Sequence, residues 1–127
     1  MKRLSEGAPK LLERDIQRQI IDWLGWQGIF AFRTNTGAAM LPGRAGKPQL
    51  VRFGFKGVSD ILGIVGQGQF LSIEVKRPGG KLTIDQEVFR ELVVKNGGLY
   101  ILAKSLDDVK RALEARLIKM ERMEVSK

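Results

Sequence analysis

Asp60, Glu74 and Lys76 are the residues of this chain whose types and spacing could do chemistry. Asp60 closes the segment Gly57-Val58-Ser59-Asp60, and a mostly apolar run separates it from Glu74-Val75-Lys76. Two carboxylates that converge offer hard oxygen donors to a divalent cation. A lysine two residues past the second acid lies on the same face of a strand, because side chains alternate with period two. The Val75 carbonyl, between the two side chains, is a third candidate ligand, since hard cations accept backbone oxygens. Acid, acid and ammonium together could hold a metal and a phosphate at once, the minimum equipment for metal-assisted phosphodiester hydrolysis. Each residue also has a plainer use. Asp60 could cap a turn, Glu74 could face solvent from a strand, and Lys76 could be one more cation of a basic surface.

The composition narrows the chemistry further. The 127 residues include no histidine and no cysteine. Histidine bases, Ser-His-Asp and Cys-His arrangements, disulfides and thiolate metal sites are therefore excluded. A catalytic metal would sit on carboxylates and carbonyls, which favours magnesium, with manganese as substitute, over zinc. The net charge of +8 suits a polyanionic partner, most plausibly nucleic acid, with a merely basic surface as the plainer reading. From Arg33 to Lys56 the cations are Arg33, Arg44, Lys47, Arg52 and Lys56, with no acid among them. These are candidate phosphate contacts, which give affinity and register rather than base specificity. No run is apolar enough to span a bilayer and the first residues lack the apolar stretch of a signal peptide, so a cytoplasmic protein is expected.

One domain over residues 1–127 is expected, with 1–9 a loose arm and 121–127 a frayed tail. Leu12, Ile16, Ile20, Trp23 and Leu24 make a helical stripe from Leu11 to about Gln27. Trp23 reads as core; core or boundary packing is the leading reading of Trp26, with a dimer-interface or base-stacking role as its alternative. Ile29 to Arg33 reads as a strand, Thr34 to Pro48 as a mobile loop and Gln49 to Phe53 as a short strand. Ile61–Val65 and Phe70–Lys76 read as a hairpin joined at Gly66-Gln67-Gly68. A three-residue loop there pairs Val65 with Gln69 and sets Asp60 opposite Glu74, whereas a two-residue loop puts Asp60 on the other face. A helix capped by Thr83, a buried strand Leu99–Ala103 and a last helix to about Met120 follow. The order is α-β-β-β-β-α-β-α, a mixed β-sheet flanked by helices, with the strands around the crossover parallel.

With these pieces in order, the chain resembles the VRR-NUC (virus-type replication-repair nuclease) family of the PD-(D/E)XK nuclease superfamily. The matching pieces are Glu13-x-x-x-Gln17, Arg33-x-Asn35-x-Gly37, Gly57-x-Ser59-Asp60, Glu74-Val75-Lys76 and Gln86, spanning roughly residues 11 to 104. Ser59 stands where the family pattern usually has proline. The resemblance implies a restriction-endonuclease-like core and magnesium- or manganese-dependent endonuclease cleavage of DNA, structure-selective for branched or junction forms, leaving 5′-phosphate and 3′-hydroxyl ends. It also implies a homodimer. Asp60 and Glu74 would be the ligands, Lys76 would assist at the phosphate, and Glu13 would orient water or add a ligand. Gln17 would support Glu13, while Asn35 and Gly37 would shape a loop near DNA. Gln86 would position substrate or water, although Thr83-x-x-Gln86 equally fits a capping box. Two alternatives stand beside this: a non-catalytic DNA-binding or assembly module on a nuclease-like fold, and a sequence-specific restriction-type endonuclease.

Overall fold

The computed structural model describes residues 12–34 and 37–125. It shows a mixed α/β fold in which helices flank a central sheet. In chain order the elements are α1 (Glu13–Trp26), β1 (Phe30–Arg33), β2 (Gly37–Pro42), β3 (Pro48–Phe53), β4 (Ile61–Val65), β5 (Gln69–Val75), α2 (Ile84–Lys95), β6 (Leu99–Ala103) and α3 (Leu106–Val125). The central sheet runs β1-β4-β5-β6, antiparallel except for the parallel β5–β6 pair that flanks the α2 crossover.

Alternation along β4 and β5 decides the two faces. Ile61, Val65, Leu71, Ile73 and Val75 point one way and are buried. Ile16, Ile20 and Leu24 of α1, with Val109 and Leu113 of α3, pack on that face to complete the core. Each such side chain, fully buried, contributes about 1.5–3 kcal/mol. Asp60, Ser72 and Glu74 point the other way, on the face that α2 approaches. Gly98 lets β6 close against that helix, since a Cβ there would meet Val93 Cγ1 at 2.7 Å.

The β4–β5 turn has the three-residue form. Gln67 (φ 66) and Gly68 (φ 77) adopt left-handed conformations, and Val65 pairs with Gln69. The ladder continues to Ile61 opposite Ile73, so the next pair out is Asp60 opposite Glu74.

Three expectations are corrected. The stretch expected as a mobile loop contains strand β2, which pairs with β3 from Gly37 opposite Phe53 to Pro42 opposite Pro48. Its Gly, Ala and Pro content hides a ladder whose two prolines sit at its end, where a missing N–H matters least. The last helix runs on to Val125, so 121–125 is helical where a frayed tail was expected. Trp26 is 79% exposed rather than packed, because α1 turns its Ile16-Ile20-Leu24 stripe inward and ends with Trp26 off that stripe.

Gly57 ties the Asp60 loop to α2. It has φ +85, and a Cβ there would lie 2.3 Å from the Asp85 carbonyl oxygen. Only glycine allows both the left-handed backbone and that close approach.

Candidate active site

Local bonds fix the Asp60 carboxylate and the backbone behind it. Asp60 Oδ2 accepts a hydrogen bond from the Val75 amide at 2.8 Å. The Thr34 amide donates to the Asp60 carbonyl at 2.9 Å, and Thr34 Oγ1 donates to the Ser59 carbonyl at 2.8 Å. Ser59 is fully buried and its hydroxyl accepts from Ser72 Oγ at 2.6 Å. A serine at this position thus anchors the loop through a side-chain bond that a proline could not make. In a strand the N–H and C=O of one residue point to the same side. The Val75 carbonyl therefore faces the same edge as the amide that holds Asp60.

Glu74 is held by Gln86. The Gln86 side-chain amide donates through Nε2 to Glu74 Oε1 at 2.8 Å. Its Oε1 accepts from the Thr83 amide at 2.9 Å, while Thr83 Oγ1 accepts from the Gln86 amide at 3.2 Å. The two uses weighed for Gln86 are both present, because its oxygen serves the cap and its nitrogen serves the carboxylate. Replacing Gln86 by Ala should cost about 1–3 kcal/mol, because the Thr83 amide and Glu74 Oε1 each lose a partner while Thr83 Oγ1 still caps the helix, and Gln86→Glu should set a second acid against Glu74. Urea denaturation of both variants checks this, with Gln86→Glu expected to be the less stable above neutral pH.

The electrostatics of the pair are unusual for carboxylates. Burial, and next the charge of Asp60, push Glu74 up to about 8 from 4.5. Asp60 is also raised, first by burial, with the Val75 amide opposing the shift. Lys76 pulls both carboxyls down, which puts its ammonium within electrostatic reach of the pair. Glu74 Oε2 and the Tyr100 hydroxyl are buried side-chain oxygens without a hydrogen-bond partner among the described residues. Both belong to this place: Tyr100 lies beside Ser59 and within the field of Glu74, which with burial raises its phenol. An orphaned buried oxygen costs about 1–3 kcal/mol. Ser59 also acts on the Tyr100 phenol and Asp60 on Glu74, so these polar groups form one buried cluster.

The other expected residues are placed as follows. Glu13 opens α1, its Oε2 accepts from the Arg77 amide at 3.3 Å, and its charge bears on Asp60. Gln17 is half-buried one turn along. Arg33 ends β1 opposite Ile61, next to Asp60, and Gly37 opens β2. Asn35 lies outside the described residues. Arg44 and Lys47 stand at the tip of the β2–β3 ribbon, Arg52 is on β3, and Lys56 is engaged by Asp85 at 3.3 Å. Among the described residues no group of three or more His, Cys, Asp or Glu gathers as a metal cluster.

Sequence reasoning missed several residues. Thr34, Ser72 and Tyr100 hold or line the site, and Ser72 and Tyr100 are register partners on β5 and β6. Arg14 and Arg18 line a cleft of about 350 Å³ with Arg33, Asp15 and Ile21. Their signal was available as basic positions four apart on α1, on the side away from its apolar stripe.

Comparison of the chain with protein-family models, curated proteins and solved structures finds no match. No helix among the described residues is long and apolar enough to cross a membrane.

Proposed function

We propose that this chain is a metal-dependent DNA endonuclease of the VRR-NUC type, on a restriction-endonuclease-like core, acting on branched or junction DNA. The observation that carries the reading is the convergence of Asp60 and Glu74 across β4 and β5, with Glu74 Oε2 buried and unpartnered and Lys76 within reach of both. A buried carboxylate oxygen without a hydrogen-bond partner, beside a second carboxylate, fits a hard cation that accepts carboxylate and carbonyl donors. Asp60, Glu74 and the Val75 carbonyl would hold it, as magnesium or as manganese in substitution. When bound, such an ion supplies Lewis-acid polarisation of a phosphoryl oxygen and makes water acidic enough to attack at neutral pH.

The chain's own residues account for the rest. Gln86 holds one oxygen of Glu74 and leaves the other turned into the site. Val75 N–H holds Asp60 opposite it. Lys76 offers positive charge where negative charge develops on the phosphoryl oxygens, the kind of contact worth most in a desolvated site. Glu13, anchored on the Arg77 amide, is placed to receive a proton or orient water at the site's edge. Arg14, Arg18 and Arg33 form a basic cleft suited to backbone phosphates. A two-fold pair of chains is part of the reading, since it presents two such sites to two strands.

The test is a panel of end-labelled plain duplex, flap and four-way junction incubated with the wild-type chain and Mg²⁺, Mn²⁺ or EDTA. The reading expects metal-dependent cuts near the branch, with 5′-phosphate ends. Equal cutting of every duplex at one short sequence would favour the restriction-type alternative, and binding without cutting would favour the non-catalytic one.

A further inference from the structure

The β2–β3 ribbon has no role in holding the catalytic pair. Among the described residues its two strands pair only with each other, as a sheet separate from the central one. An arm of this kind normally covers its apolar side chains, yet Met40 and Leu50 face each other across the ladder at 61% and 52% exposure. At the tip, Gly43 and Lys47 close the turn through a 2.8 Å bond from the Gly43 amide to the Lys47 carbonyl. A Cβ at Gly43 would sit 2.7 Å from that carbonyl oxygen, so the turn is tightly made. Arg44 and Lys47 flank it and are both exposed. No acid occurs between Asp22 and Asp60 in the sequence, so nothing on the ribbon offsets these cations.

We infer that this ribbon enters the major groove of a DNA duplex arm and sets where the Asp60–Glu74 pair meets the backbone; the inference rests on the nuclease reading and deepens it. Charge complementarity with the phosphate backbone selects the occupant. Dimensions select the groove. A sheet with side chains on both faces is about 10 Å thick. That exceeds the ~6 Å minor groove and fits the ~12 Å major groove, which admits a two-stranded ribbon. Strands of six residues reach roughly 20 Å at about 3.3 Å per residue, more than the ~8.5 Å depth of the groove. Laid along the groove, the ribbon can put one face on the base edges while its tip reaches the phosphates of the wall and its root stays at the backbone. Arg44 and Lys47 then meet phosphates at the groove walls, and the Met40–Leu50 pair meets apolar surface such as thymine methyl groups. The root is fixed to the site, because Thr34, just before β2, bonds the Ser59 and Asp60 carbonyls, and residues 54–60 lead from β3 back to Asp60.

Dimethyl sulfate footprinting in EDTA tests this with the wild-type chain on a labelled junction, since the reagent reads guanine N7 in the major groove and adenine N3 in the minor. The expected result is protection of guanine N7 on one arm. The double variant Arg44→Ala/Lys47→Ala should lose that protection, bind at least about tenfold more weakly at 0.1 M salt, and show a log K against log salt slope shallower by about 1.8 for two lost phosphate contacts. Its far-UV circular dichroism and melting temperature should match the wild type. Protection of adenine N3 alone, or a double variant that footprints like the wild type, overturns the inference and leaves the nuclease reading standing if cleavage persists. A wild-type chain that neither binds nor cuts DNA overturns both.

Discussion

An Asp60→Ala chain should bind branched DNA as the wild type does and cut it at least about 10³-fold more slowly in magnesium. The side chain removed is the one that the Val75 amide positions opposite Glu74. On the proposed reading a bound cation would lose a donor, and the electrostatic stabilisation that depends on it would go too. Lys76→Ala should lose about 10²–10³-fold, the usual cost of one preorganised charge contact. Binding is carried by cations away from the pair, so a filter-binding assay should scarcely change for either variant. Single-turnover cleavage of a labelled four-way junction separates the two effects. Asp60→Ala cutting at the wild-type rate would remove the pair from the chemistry.

The second large effect concerns stability. Glu74 titrates at about 8 in the folded chain against 4.5 for an ordinary glutamate, with burial the larger cause and Asp60 the next. Between those values the folded metal-free chain holds a proton that the unfolded chain has released. Stability therefore falls as pH rises through that window, and above about 8 the buried charge opposes folding in full. Asp60, also raised, adds to the slope at its acid end. One proton limits the slope to about 1.4 kcal/mol per pH unit. Glu74→Gln keeps the shape and most of the hydrogen bonding but cannot ionise. It should melt at a higher temperature than the wild type at pH 8.5 in EDTA, and the difference should shrink toward pH 5. Saturating Mg²⁺ should reverse the wild-type trend, because a cation binds the deprotonated pair and stabilises the fold by mass action. Thermal melts across pH, with and without metal, measure all of this.

How far the sequence foretold the site depends on which physical signal each residue gave. The Gly66-Gln67-Gly68 turn left only two sensible registers, and the one that sets Asp60 across from Glu74 agrees with the observed Ile61–Ile73 and Val65–Gln69 pairs. The helix stripe of Ile16, Ile20 and Leu24 was equally plain, because a 3.6-residue period on apolar positions has few other uses. β2 was hidden, since glycine, alanine and proline carry weak strand preference and the ladder depends on a partner found further along the chain. Tyr100 and Ser72 gave no local sign of their position, because they meet only through the parallel β5–β6 register. Gln86 was seen as either a cap or a site residue. Its amide has an acceptor and a donor end, and the helix start lies close enough to β5 for both to be used.

The claim at the centre is that Asp60 and Glu74 form one cation site. Titrating Mn²⁺ into the metal-free chain at pH 7, with binding read by electron paramagnetic resonance and proton release read in parallel, tests it most directly. The account predicts saturable binding accompanied by release of close to one proton, with both lost in Asp60→Ala and in Glu74→Gln. Binding that is absent in the wild type, or that survives unchanged in those two variants, would contradict it.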